Sequence, residues 1–151
     1  MVSVQKILVP IDFSPGSKAA LNYALEFAKE FGGNIQVLHI VDSRGVSYVT
    51  YHGSMVSQLL ESLEQEMQSL LSELDFQGVD VEAMVSERIG VPHLEIIDEA
   101  QKRGADLIVI GTHGHTGIAH AFLGSVAEKV VRHAPCPVLT VRLKEEISTA
   151  A

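Results

Sequence analysis

The sequence lacks most of the features that would place it in a specialised class. Its 151 residues include a single cysteine, Cys136, which excludes an internal disulfide framework and fits a reducing compartment. No run approaches the roughly 20 apolar residues that a membrane helix needs. The first residues show neither the apolar core nor the cleavage site of a secretory signal. We therefore expect a cytoplasmic protein without a membrane segment.

Basic residues are scarce as well. Acidic residues outnumber them by 19 to 11, and the formal net charge is −8. Because surfaces that bind nucleic acids are usually basic, we expect no DNA or RNA partner. The remaining composition, 46% apolar and 20% charged residues, is typical of a globular chain. The length predicts one domain over residues 1–151.

The chain instead contains a regular alternation of apolar runs and amphipathic segments. The runs predict five strands and the segments between them predict four helices; the strands are residues 5–11, 34–42, 79–85, 107–110 and 137–142. Ser14 and Pro15 predict the N-cap and first residue of helix one, and Gly90 and Pro92 predict the opening of helix three. Polar residues 43–57 predict a loop or flap.

This alternation predicts a single-domain α/β fold with an open, five-stranded, mainly parallel sheet and helices on both faces. We expect the strand order 3-2-1-4-5, because strand three has the pattern of a peripheral strand and strands one and four have the most buried patterns. Such sheets bind ligands at the carboxyl ends of the strands where the order reverses. Asp12 and Gly111 would meet there. Asp12 would contact a base or a ribose, or it would only cap the turn into helix one.

The stretch after strand four is rich in glycine. Residues 110–127 read IGTHGHTGIAHAFLGSVA, with Gly111, Gly114 and Gly124 in the spacing Gly-x2-Gly-x9-Gly-Ser. Glycine can adopt a positive φ and lets backbone approach a ligand closely, and the helix that follows favours an anion at its N-terminus. We interpret the stretch as a phosphate site. Two alternatives are a strand-to-helix loop with structural glycines and a capping box formed by Ser125 and Glu128.

Other nucleotide and metal sites fit the sequence less well. The loop of residues 10–15 has no glycine, which argues against a dinucleotide fingerprint, and no lysine precedes Ser125 as a P-loop would require. His113, His115 and His120 could share a metal ion, but no cysteine or carboxylate lies near them in sequence. We therefore expect no metal site, and assign these histidines to solvent or to phosphate.

Several segments, spread over nearly the whole chain, are similar to those of a known family. The sequence resembles the ATP-binding branch of the universal stress proteins; the matching segments are residues 6–14, 39–42, 90–92, 111–114, 124–127 and 136–141. The resemblance implies an ATP site, with or without Mg²⁺, and it implies these nucleotide-binding residues: Pro10, Ile11, Asp12, Ile40, Ile110, Gly111, Gly114, His115, Gly124, Ser125, Val126 and Ala127.

The resemblance also implies a homodimer formed by the last strand, through Val138, Leu139, Thr140 and Val141. We expect a dimeric regulatory module of the stress response that binds ATP and has an unknown protein partner. One alternative is a slow ATPase or phosphotransferase in which Asp12 or a loop histidine handles protons. Another is a nucleotide-independent interaction module that uses residues 48–52 as its contact surface.

Overall fold

A computed structural model describes residues 2–44, 54–113 and 123–143. Strands and helices alternate through these residues, as the sequence predicts. Their bounds are β1 (Lys6–Pro10), α1 (Pro15–Phe31), β2 (Asn34–Asp42), α2 (Ser54–Ser72), β3 (Val81–Gly90), α3 (Pro92–Arg103), β4 (Leu107–Gly111), α4 (Ser125–His133) and β5 (Val138–Val141).

The described strands form one sheet in the order β3-β2-β1-β4-β5, and each neighbouring pair is parallel. The predicted fold class and strand order are confirmed. At the centre β1 lies beside β4, with Leu8 opposite Ile108. The chain moves outward from β1 on one side and from β4 on the other, so a crevice opens where the carboxyl ends of these strands meet.

Helices cover both faces of the sheet because successive side chains of a strand point to opposite faces. In β1, Ile7 and Val9 belong to a core shared with α1 and α2. Leu8, between them, belongs to a second core shared with α3 and α4. All three side chains are almost completely buried. A central strand with two buried faces reads as a continuous apolar run, which is why β1 and β4 were recognisable in the sequence.

Helix α1 begins where the sequence predicts and ends at a glycine. The Ser14 hydroxyl accepts a hydrogen bond from the Ser17 backbone N–H, and Pro15 is the first helical residue. At the other end Gly32 has φ 86° and its N–H donates to the Ala28 carbonyl. A positive φ favours glycine at a helix end, so local sequence signals are sufficient to set both ends.

Two predicted boundaries are wrong. Helix α2 begins at Ser54, inside the predicted loop of residues 43–57, because half-buried Val56 and Leu59 extend the apolar stripe toward the N-terminus. Strand β3 continues to Gly90, beyond the predicted end at Val85. It stays paired with β2 past a register shift between His39 and Val41, and such irregularities are tolerated at sheet edges. The proposed contact surface, residues 48–52, lies outside the described residues.

None of the helices among the described residues is both long enough and apolar enough to cross a membrane.

Candidate functional site

A cavity of about 630 Å³ lies at the carboxyl ends of β1, β2 and β4. The sequence-predicted site residues within the described ranges all line it: Pro10, Ile11, Asp12, Ile40, Ile110, Gly111, Gly124, Ser125, Val126 and Ala127. The other two, Gly114 and His115, lie outside the described residues. Segments about a hundred residues apart in sequence therefore form one crevice, as the predicted topology requires.

The turn from β1 into α1 is held by a network of serine hydroxyls around Asp12. Its carboxylate Oδ1 accepts hydrogen bonds from the backbone N–H of Ser14, at 2.9 Å, and from the Ser14 hydroxyl. The Asp12 backbone N–H donates to the Ser17 hydroxyl. Ser14 and Ser17 are both buried. The network fixes the Asp12 carboxylate at the cavity wall, and a fixed acceptor suits the hydroxyl groups of a sugar.

An aromatic pair follows on the same wall. Phe13 has φ 63°, which is rare for a bulky residue and costs free energy. Its ring lies 4.7 Å from the ring of His39, centroid to centroid. Nδ1 of His39 is 2.7 Å from the Ile11 carbonyl oxygen. A carbonyl can only accept, so Nδ1 carries the proton and donates. The pair therefore ties the end of β2 to the turn after β1.

The glycines of the motif are explained first by packing between backbones. A Cβ at Gly111 would lie 2.7 Å from the Gly16 carbonyl oxygen, and a Cβ at Gly124 would lie 2.8 Å from the Thr112 carbonyl oxygen. A Cβ at Gly16 would in turn lie 2.6 Å from the His113 carbonyl oxygen. No side chain fits at these distances. The first turn of α1, the end of β4 and the start of α4 therefore pack backbone against backbone.

The expectation of a positive φ fails at both described glycines of the motif. Among the described glycines a positive φ occurs at Gly32, Gly33, Gly78 and Gly104, whereas Gly124 has φ −59°. The structural-glycine alternative therefore explains Gly111 and Gly124 without any ligand. The glycines therefore do not themselves indicate a phosphate site, and that interpretation depends on the N-terminus of α4.

Helix α4 opens into the cavity without a side-chain cap. Its N-cap is Gly124, which makes no side-chain hydrogen bond, and Ser125 is the first helical residue. The capping-box alternative is therefore wrong, because the serine is one position too late to cap. Glu128 instead forms an ion pair with Arg132 at 3.1 Å. The backbone N–H groups of the first turn are the donors that a helix leaves unpaired, and Ser125, Val126 and Ala127 all line the cavity.

Charged residues at the end of β2 also line the cavity. Asp42 pairs with Arg44 at 2.6 Å, and the hydrogen bonds from the Arg44 side chain lower the pKa of Asp42. His93 lies at the start of α3, beside the cavity-lining Pro92. Burial lowers the pKa of His93, and the nearby positive charges of Lys129, His133 and Arg44 lower it further. Arg44, which is paired with Asp42, therefore supplies a basic side chain on this side of the cavity.

A second cavity, of about 930 Å³, lies between α2 and β3. Its walls carry the carboxylates of Glu61, Glu64 and Glu99, and none of the predicted site residues lines it. Carboxylates repel a phosphate chain, and none of the described residues that line this cavity is basic. The smaller cavity also has three carboxylates, but it contains Arg44 and the first turn of α4 as well. The smaller cavity is therefore the better candidate for an anionic ligand.

The described residues contain no group of three or more histidine, cysteine or carboxylate side chains that could hold a metal ion. His115 and His120 lie outside those residues, so the expectation that the loop histidines form no metal site stays a prediction.

Several cavity residues were not predicted from the sequence. Asp42 is not among the predicted site residues, yet it lines the cavity. Leu59, Leu63 and Glu66 reach the cavity from α2; nothing in their sequence pattern distinguishes them from core or surface positions. His39 could have been found, because it lies near the carboxyl end of a predicted strand, where such sheets bind ligands. His113, which the sequence assigns to solvent or to phosphate, also lines the cavity.

The doubly wound sheet, with a cavity and the uncapped α4 at its switch point, defines a domain of the open α/β class. Residues 3–142 match the Universal stress protein family. The chain is 38% identical over 141 residues to Universal stress protein MJ0531 of Methanocaldococcus jannaschii, covering 91% of this chain and 82% of that protein. The chain therefore belongs to the universal stress protein family.

Solved structures agree with the fold. The structure of the hypothetical protein MJ0577 superposes with a TM-score of 0.83 at 32% sequence identity, covering 95% of this chain and 99% of that one. A universal stress protein from Archaeoglobus fulgidus, solved in complex with dAMP, superposes with a TM-score of 0.60 at 24% identity, covering 93% and 98%. At that identity the second comparison shows the fold alone.

Proposed function

We propose that this member of the family binds ATP in the cavity between β1 and β4, and acts as a dimeric regulatory module of the stress response. The observation that carries the proposal is the uncapped N-terminus of α4, which opens into the cavity at the switch point of the sheet. Unpaired N–H groups and the helix dipole together favour a phosphate there.

The rest of the cavity suits the nucleoside half of the ligand. Ile11, Ile40 and Val41 supply apolar surface, and Asp12 supplies an acceptor already fixed by Ser14. A volume of about 630 Å³ is within the range of small-molecule pockets. Relatives of the same fold were solved with cAMP and with dAMP, which supports an adenine nucleotide as the class of ligand. Mg²⁺ would offset the charge of the triphosphate, as part of the same proposal.

The dimer would form through β5. This strand is at an edge of the described sheet, and Val138, Leu139 and Val141 are only half-buried in the single chain. An edge strand with apolar side chains is suited to pairing with a second copy. The cytoplasmic location expected from the sequence stays a prediction.

Ser125→Glu tests the phosphate position. Ser125 is exposed in the first turn of α4, where a carboxylate stabilises the helix by about 0.3–1 kcal/mol. The same carboxylate would repel the phosphates, so we expect the Kd for ATP to rise by about tenfold or more, which is about 1.4 kcal/mol. Calorimetric titration measures the Kd, and thermal unfolding without nucleotide measures the stability.

The matched control is Ser125→Gln, which has the shape of glutamate without the charge. Both substitutions remove the serine hydroxyl and add the same bulk, so the difference between their Kd values reports the charge alone; we expect Ser125→Gln to bind ATP about tenfold or more tighter than Ser125→Glu does. If Ser125→Glu binds ATP as tightly as Ser125→Gln does, the phosphates do not lie at the N-terminus of α4.

A further inference from the structure

Strand β3 is an edge of the described sheet and presents a row of unpaired backbone groups. The Ile35 N–H donates to the Asp80 carbonyl at 2.8 Å, so Asp80 directs its backbone groups toward β2. Because this direction alternates along a strand, the N–H and C=O groups of Ala83 and Val85 point away from β2. No described residue pairs with this edge. An open edge of this kind is a template for another extended chain.

The cavity of about 930 Å³ lies along this edge. Ala83 and Val85 line it from β3, Met67 lines it from α2, and Glu99 lines it from α3. The two helices cover opposite faces of the sheet, because α2 belongs to one hydrophobic core and α3 to the other. The cavity therefore opens on the edge of the sheet, between the two helical layers, where an additional strand would lie.

The α2 wall of this cavity is acidic. Polar side chains line it at helical spacing: Glu61, Glu64, Gln65 and Gln68. Helix α2 contains no lysine or arginine. In the described part of the chain, no basic side chain forms an ion pair with Glu61 or Glu64. Both carboxylates are on exposed residues, so a basic group of a partner can reach them.

The carboxylates on the α3 side differ, because Arg103 already neutralises them. Its Nε donates to the Glu99 carboxylate at 2.9 Å, and its Nη1 lies 3.6 Å from the Glu82 carboxylate. Its Nη2 lies 3.1 Å from Sδ of Met84, which also lines the cavity. A basic partner would therefore direct its charges toward α2 and not toward α3.

We propose that the open edge of β3 binds an extended, basic peptide segment of another protein as an additional strand. Its backbone pairs with Ala83 and Val85, and lysine or arginine side chains at alternate positions face Glu61 and Glu64, since alternate side chains of a strand share one face. A second copy of this chain suits the edge less well, because it would bring the same carboxylates against each other. This surface is separate from the nucleotide cavity.

The probe is a fluorescent peptide of about six residues, the usual length of a strand, with alternating lysine and valine. Fluorescence anisotropy measures its Kd, and the same peptide with glutamate in place of lysine should not bind. Two further peptides carry N-methyl groups, one on every lysine and the other on every valine. Every second N–H of an added strand faces its neighbour, so we expect one of these two peptides to lose binding and the other to keep it.

Two pairs of charge substitutions test the α2 wall. Glu61→Gln together with Glu64→Gln should raise the Kd of the lysine peptide by about fivefold or more. Glu30→Gln together with Glu73→Gln is the matched control, because it changes the net charge equally at exposed residues that line neither cavity. The control should leave the Kd nearly unchanged.

Two proline substitutions test the edge. Ala83→Pro removes an outward N–H of β3, where an edge strand tolerates proline, and should abolish binding of the lysine peptide. Thr140→Pro makes the same change at the β5 edge and should leave binding unchanged. Melting temperatures show whether each variant is folded. Where Ala83→Pro does not fold, the N-methylated peptides decide the question, because they are tested on the unsubstituted protein.

The inference is overturned if the lysine peptide does not bind, or if the two N-methylated peptides behave alike. It is also overturned if the two pairs of glutamine substitutions have equal effects, since the attraction would then come from net charge and not from the α2 wall. Loss of binding in Thr140→Pro, with binding retained in Ala83→Pro, would place the peptide on β5 and contradict the proposal.

Discussion

Gly111→Ala distinguishes a glycine needed for backbone packing from one needed only for ligand approach. The new Cβ would lie 2.7 Å from the carbonyl oxygen of Gly16, 2.8 Å from its carbonyl carbon and 3.1 Å from the backbone nitrogen of Ser17. Ordinary van der Waals contact begins near 3.4 Å. The first turn of α1 would therefore have to move away from β4 by several tenths of an ångström.

The structure sets limits on how much stability Gly111→Ala should lose. Gly111 does not have a positive φ, so alanine adds no backbone strain, and overpacking of this kind typically costs about 1–3 kcal/mol. In a domain of 151 residues, 1 kcal/mol lowers the melting temperature by roughly 2–4 °C. We therefore expect a fall of roughly 2–12 °C for Gly111→Ala.

The assay is urea and thermal unfolding without nucleotide, because a bound ligand would add stability by mass action. Gly90→Ala is the matched control. The nearest atoms to its Cβ, at 2.8 Å, belong to the Glu95 side chain, which can move aside, so its effect should stay within about 0.5 kcal/mol. If Gly111→Ala is as stable as the unsubstituted protein and loses only nucleotide affinity, the packing explanation of this glycine is refuted.

Three further predictions concern β2 and β5. Arg44→Gln should lower the free energy of unfolding above about pH 4 but not well below it, because Arg44 lowers the folded-state pKa of Asp42 and the stability from this pair is lost as Asp42 protonates. Urea titrations at several pH values measure the difference in stability between the two proteins, and a difference that does not vary with pH would contradict this. Thr140→Pro should give monomers in size-exclusion chromatography with light scattering. The carbonyls of Pro137 and Val141 accept hydrogen bonds from the β4 side of the sheet, so the N–H of Thr140 lies at the open edge. A dimer that persists in this variant would exclude pairing through β5. Burial raises the pKa of Cys136, so its alkylation should have a pH midpoint above the usual 8.5 or so; a midpoint at or below that value would contradict the burial effect.

The strand order could be predicted from the sequence because central and peripheral strands differ in their local hydrophobic patterns. Central strands buried on both faces, such as residues 107–110, appear as uninterrupted apolar runs. Edge strand β3 was predicted too short, because its pairing with β2 continues past Val85 through polar residues such as the buried Ser86. No local pattern distinguishes such residues from a loop.

The site was predictable where it depends on strand ends and not where it depends on packing. Asp12 and Gly111 follow apolar strands, so topology alone brings them together. The role of Gly16 was not predictable, because its close approach to His113 depends on how α1 is seated on β4. The distinction between Ser125 as N-cap and as first helical residue was also not predictable, since helix ends are uncertain by one or two residues in sequence.

Calorimetric titration of the purified protein with ATP tests the central claim most directly. We expect saturable binding of one ATP per chain, and we expect Ser125→Glu to weaken it more than Ser125→Gln does. Absence of saturable binding at millimolar ATP, with and without Mg²⁺, would contradict it.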